Sequence, residues 1–147
     1  MPSNYSQSFA FCTERFDYRS ELPADCNAGN RFYGRDVAEF LSGELSSRGI
    51  PAEFMDEDWG WLVFSSKTSQ PGFDIAIYNL SDHREGGKPG ANRWGLWISS
   101  VEKRKFLGVF SKSVDVEIPP ALLDAIEVAI NGLGTRLEPW DESEPDV

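Results

Sequence analysis

The stretch EDWGWLVF, residues 57–64, closes a run of acids (Glu53, Asp56, Glu57 and Asp58) and then sets Trp59 and Trp61 on either side of Gly60. Its reading decides the fold, because here the chain's sharpest cluster of negative charge gives way to a strand-like segment. On a strand, residues two apart share a face, so Trp59 and Trp61 are expected to point the same way while the acids lie at or beyond the strand end. One reading is core packing: tryptophan anchors cores, its indole N–H can bond a nearby carboxylate, and Gly60 marks a bulge or a close approach of another backbone. The other is a recognition ridge, an aromatic anchor beside carboxylates that suits an arginine-rich partner. The same stretch can serve both, with Trp61 inward and Trp59 at the rim.

Working outward, the segment RFYGRDVAEFLSGELSSRGIP carries Val37, Phe40, Leu41 and Leu45 at steps of three and four residues, with Asp36 in the first turn and Arg48-Gly49 before Pro51 as a stop. This spacing predicts a helix. A second helix is expected from Pro119-Pro120, where proline at the first helical position sacrifices no hydrogen bond, through Leu122, Leu123, Ile126, Ala129, Ile130 and Leu133 to Gly132 and Gly134. SFAFCTERF, residues 8–16, reads as a first strand. Between the helices EFMDE and WLVFSS form one bent strand or two, followed by GFDIAIYNL, RWGLWISSV and KFLGVFSKS, with TSQPG and EKRK as separators. The order β-α-β-β-β-β-α, with short turns between consecutive strands, predicts an α+β two-layer sandwich: an antiparallel meander with two main helices on one face.

That architecture asks for one apolar and one polar sheet face. The strands do not comply. Ile75 and Ile77 oppose Ala76, Tyr78 and Leu80, and Trp94, Leu96 and Ile98 oppose Trp97, so both faces carry large apolar groups. Either the chain itself covers the second face, for example with its long N-terminal segment, or that face meets a partner.

A length of 147 residues, 40% hydrophobic and 13% aromatic, suits a single packed domain, expected over residues 1–134. Residues 135–147 read as an acidic tail: Glu138, Asp141, Glu142, Glu144 and Asp146 stand there with no base after residue 136, and supply half of the net charge of −10. Such a balance disfavours nucleic acid and anionic membranes, both of which need a cationic face, and favours a basic protein partner. No apolar stretch approaches a membrane span and MPSNYSQSF has no export character, so a soluble cytoplasmic protein with Cys12 and Cys26 as thiols is expected.

No catalytic constellation stands out. His83 lies in SDHREGGKPGAN, residues 81–92, a glycine-rich loop that lacks P-loop spacing, and no serine or cysteine sits in a nucleophile motif beside it. Two cysteines and one histidine fall short of a zinc site, and the adjacent acids at 56–58 lack the alternating spacing of a calcium loop, so no metal or cofactor is expected. Arg84, Lys88, Arg93, Lys103, Arg104 and Lys105 concentrate basic charge, but a meander sets the 81–92 loop and the 102–105 turn at opposite ends of one strand.

RFYGRDVAEFLSGELSSRGI followed by EDWGWLVF, the second tryptophan-rich strand RWGLWIS and the closing helix together resemble small acidic bacterial immunity proteins of polymorphic and contact-dependent toxin systems, over most of residues 31–134. The resemblance implies a non-enzymatic protein that neutralises a cognate toxin by blocking its active site. An anionic surface fits the cationic cleft of a toxin that acts on nucleic acid or nucleotides. The expected partner-binding residues are Glu53, Asp56, Glu57, Asp58 and Trp59. Two further readings stay open. One is a small enzyme or ligand-binding domain with an aromatic pocket or second face at Trp61, Tyr78, Trp94 and Trp97, joined by Trp59. The other is a phage-encoded inhibitor or nucleic-acid mimic.

Overall fold

The computed structural model describes residues 6–13, 15–16, 34–57, 60–65, 72–79, 93–106 and 110–140. Its elements are β1 (Ser6–Cys12), α1 (Arg35–Ser47), β2 (Ala52–Glu57), β3 (Gly60–Ser65), β4 (Gly72–Asn79), β5 (Arg93–Phe106), β6 (Phe110–Val116), α2 (Pro120–Asn131) and the short β7 (Glu138–Pro139). They form the expected α+β sandwich, two helices over a seven-stranded antiparallel sheet. Along the sheet the strands run β2-β3-β4-β5-β1-β7, and β6 also pairs with β5. β5 is the spine. It pairs with β4 over residues 94–101, while its other edge takes β1 at residues 93–99 and β6 at residues 100–106, end to end.

Three features refine the sequence reading. EFMDE and WLVFSS are two strands of a hairpin, because Glu57 pairs with Gly60 and the chain reverses between them. The separator expected at residues 102–105 is instead part of β5, which continues to Phe106: β6 pairs with each of these residues, and ladder pairing outweighs the weak strand propensity of Lys, Glu and Arg. Glu138–Pro139, placed by sequence in the acidic tail, pair with Phe9 and Ala10 of β1, and the Trp140 N–H donates to the Ser8 carbonyl at 3.0 Å.

Period-two alternation sends Phe11, Trp61, Val63, Phe73, Ile75, Ile77, Trp94, Leu96 and Ile98 to one face, where they form a single buried cluster with Val37, Leu41 and Leu45 of α1 and Leu122, Ile126 and Ile130 of α2. Each fully buried aliphatic side chain contributes about 1.5–3 kcal/mol. Where the cluster thins at the sheet end, the fully buried Ser100 hydroxyl donates to the Gly72 carbonyl at 2.7 Å, so its polar atom is satisfied.

Both helices end as their sequences imply. The Gly49 N–H donates to the Ser46 carbonyl and the Ile50 N–H to the Leu45 carbonyl, with Gly49 at φ 83°, a Schellman stop that satisfies two terminal carbonyls of α1. α2 starts with Pro120 behind Pro119 and gives way to the turn at Gly132 and Gly134. At the start of α1, Gly34 takes φ 141° and a Cβ there would lie 2.9 Å from Trp61 Cδ1. Only glycine lets the first turn of α1 rest against that indole.

Candidate functional site

The same alternation that fills the core displays a second face. Across it, cross-strand register aligns Met55, Leu62, Ala76, Trp97 and Ser8 in one row, and Glu53, Phe64, Asp74, Ser99 and Ser6 in the next. Tyr78, Gly95 and Ala10 continue on the other side of the Trp97 row. Met55 is 44% exposed and Trp97 43%, while Leu62, Phe64 and Tyr78 are half-buried. Glu53 and Asp74 are exposed, and Glu57 flanks Met55 on the same face of β2. β2, β3 and β4 contain no lysine or arginine. The bases of β5 stand at its ends, Arg93 at its start and Lys103 to Lys105 beyond Val101, the last residue paired with β4.

Asp74 has a displaced titration. Desolvation pushes its carboxyl above the ordinary aspartate range, although the residue as a whole is exposed. Its cross-strand neighbours explain this: Phe64 lies directly opposite on β3 and Ser99 on β5, so an aromatic ring takes the place of water on one side.

The structure sorts the sequence candidates by face. Glu53 and Glu57 lie on the open face, and Asp56 is half-buried on the opposite side of β2, beside Phe54. Asp58 and Trp59 lie outside the described residues, as do Cys26, His83 and the 81–92 loop. The four aromatics grouped as one pocket or second face do not sit together. Trp61 (5% exposed) and Trp94 (0%) point into the helix-covered core, whereas Tyr78 and Trp97 belong to the open face. Parity is the reason, since residues 61 and 77 pair and residues 77 and 96 pair, which puts Trp61 in the layer of Leu96 and Trp94 and opposite to that of Trp97. Gly60 meets its expectation of a close backbone approach: a Cβ there would lie 2.8 Å from the Ile77 carbonyl oxygen.

Two features escape sequence reading. Trp94 Nε1 is buried without a hydrogen-bond partner among the described residues. A cavity of about 350 Å³ opens where β1, the start of β5 and the 134–139 segment meet, lined by Cys12, Arg93, Thr135, Arg136 and Glu138 among others. Cys12 is exposed there and forms no disulfide. Its residues come from three distant parts of the chain, so no local spacing announces it. Its lining carries both signs of charge, Arg93 and Arg136 beside Glu138.

The described residues group no three metal-ligating side chains, and no helix among them is long and apolar enough to cross a membrane. The fold and its open face define an α+β domain with an acid-flanked aromatic sheet surface. No protein-family model and no curated protein matches the chain.

Proposed function

We propose that this protein is a non-enzymatic protein-binding module, an immunity-type inhibitor that neutralises a cognate bacterial toxin by laying an anionic, aromatic surface over a cationic active site. The observation that carries the reading is the open sheet face, on which exposed Trp97 and Met55 stand among Glu53, Glu57 and Asp74 with no base on three consecutive strands. Binding hot spots take this form, an aromatic anchor ringed by polar groups, and complementary charge raises the association rate. Five strands at their ordinary spacing make this face about 400 Å², roughly half of the ~800 Å² per partner of a standard interface. The adjoining edge of β2 adds surface, so Glu53 and Glu57 of the acids quoted first belong to one footprint with the aromatic face. The reading with an aromatic ligand pocket between helices and sheet finds less support, because Trp61 and Trp94 are packing residues there.

The test is co-expression with the product of the neighbouring open reading frame in a host that this product kills. The wild-type chain restores growth, and the Glu53→Lys/Glu57→Lys double variant does so far less while remaining folded. Growth restored equally by both, or a neighbour with no toxicity, overturns the assignment.

A further inference from the structure

The open face holds an acid that the fold itself does not engage. Asp74 sits in mid-strand, between Phe64 and Ser99, and makes no hydrogen bond or ion pair with any described residue. On the strands packed against it, Leu62 and Phe64 come from β3 and Trp97, Ser99 and Val101 from β5, none of them charged; beyond Phe64 the next residue in the row is another acid, Glu53. An exposed carboxylate that its own chain leaves unpaired stays open to a cationic donor from outside the chain.

Trp97 defines what that donor is. It pairs with Ala76, two residues from Asp74 on the same face, which makes Asp74 and Trp97 diagonal neighbours with Cβ atoms about 7–8 Å apart or somewhat less. A guanidinium stacks on an exposed indole within about 6 Å of the ring centre and simultaneously presents a planar fork of N–H donors to a carboxylate. An ammonium is a compact, strongly hydrated point charge with no plane to stack. We propose that Asp74 and Trp97 form an arginine receptor at the centre of the open sheet face, seating one arginine side chain of the protein partner between carboxylate and indole. The assignment rests on the protein-binding reading and names the partner chemistry which that reading leaves general. Phe64 closes the carboxylate's far side against water, and Glu53 supplies a second negative charge across it.

The receptor couples binding to pH. The arginine takes the ionised carboxylate, so affinity is full above the raised Asp74 pKa and is lost as pH falls through it.

The full-length protein, with indole ¹⁵N and aspartate ¹³C labels, is titrated with N-acetyl-arginine methylamide and, separately, with N-acetyl-lysine methylamide. The arginine compound is expected to move the Trp97 indole and Asp74 carboxyl resonances together and saturably, at least fivefold more tightly than the lysine compound. Asp74→Asn and Trp97→Ala are each expected to weaken it tenfold or more, and low pH to reproduce the Asp74→Asn loss. Equal binding of the two compounds, binding undiminished in Asp74→Asn, or shifts confined to the acids of residues 141–146 overturns the receptor. The co-expression assay separates the two levels. A failed arginine titration with growth still dependent on Glu53 and Glu57 removes the receptor and leaves the docking surface. Arginine binding with growth indifferent to those acids removes the inhibitor reading and leaves the receptor.

Discussion

At the scale of single residues, three tryptophans in near-identical sequence settings do three different things. Trp61 is held between Gly34 and the tilted ring of Phe54, 6.4 Å away, and is a core residue in every respect. Trp97 is a surface residue on an otherwise well-packed strand. Trp94 is the most enclosed, with the ring of Phe16 edge-on at 6.1 Å, yet its indole N–H lacks a described partner. An orphaned buried donor costs about 1–3 kcal/mol, which offsets much of what a smaller ring would lose in packing. Trp94→Phe is therefore expected to change stability by about 1 kcal/mol or less, against about 3–5 kcal/mol lost in Trp61→Ala. Chemical denaturation of the two variants checks this, and a Trp94→Phe loss comparable to that of Trp61→Ala would mean that the indole N–H is paired after all.

At the scale of elements, β2 is the sheet edge, and an edge strand must be protected from pairing with other chains. The protein does this with α1. Ser46, in the last turn of that helix, accepts from the Ala52 N–H at 3.1 Å and donates to the Ala52 carbonyl at 3.3 Å. One hydroxyl thus occupies both outward backbone groups at the start of the edge and ties helix to strand. Ser46→Ala is expected to cost about 1 kcal/mol and to speed amide exchange at Ala52 well beyond its effect on the centre of β4. Uniform acceleration across the sheet would show instead that Ser46 acts only on global stability. The long β5 also belongs to this scale. By pairing with β1 and β6 in succession on one edge it makes one continuous sheet from the N-terminal strand and the meander, which is why Glu102 to Lys105 are strand residues despite reading as a turn.

At the scale of the whole molecule, the charge of −10 is a general field, and Asp74 is one member of it whose titration the fold displaces. Its carboxyl titrates higher in the folded chain than the ordinary value of 3.8, so the folded state binds that proton more tightly than the unfolded state does. Its contribution to stability accordingly falls as pH rises from about 3.8 through the raised value and stays at its low level above it. Asp74→Asn removes this dependence: the variant is expected to be the more stable protein at neutral pH, with the advantage disappearing in acid. Thermal unfolding of the pair between pH 3 and 7 reads the difference curve, and a variant less stable than wild type at pH 7 would show a favourable role for the carboxylate within the fold itself. A gain in stability from deleting a charge would place Asp74 among residues retained for binding at the expense of the fold.

The local signals were legible without coordinates. Val37, Leu41 and Leu45 at helical spacing, Gly49 ahead of Pro51, and Pro119-Pro120 ahead of an apolar run are statements about a few adjacent residues, and each element lies where they put it. The apolar character of the second face was legible too, in the residues on both parities of β4 and β5, whereas its exposure at Met55 and Trp97 was not. Which tryptophan belongs to which face depended on register, which is a relation between strands: the pairing of Trp61 with Ile77 and of Ile77 with Leu96 is set by where the β2–β3 hairpin turns and how β4 meets β5. The pairing of Glu138–Pro139 with β1, the Ser46 clamp on Ala52 and the nearness of Asp74 to Trp97 likewise join residues far apart along the chain. Sequence by itself determined both helices, the approximate place of most strands and the sign of the surface, because propensity and charge are local sums. Only tertiary structure decided which side chains are core and which face a partner, because a shift of one residue in strand register exchanges the two faces entirely.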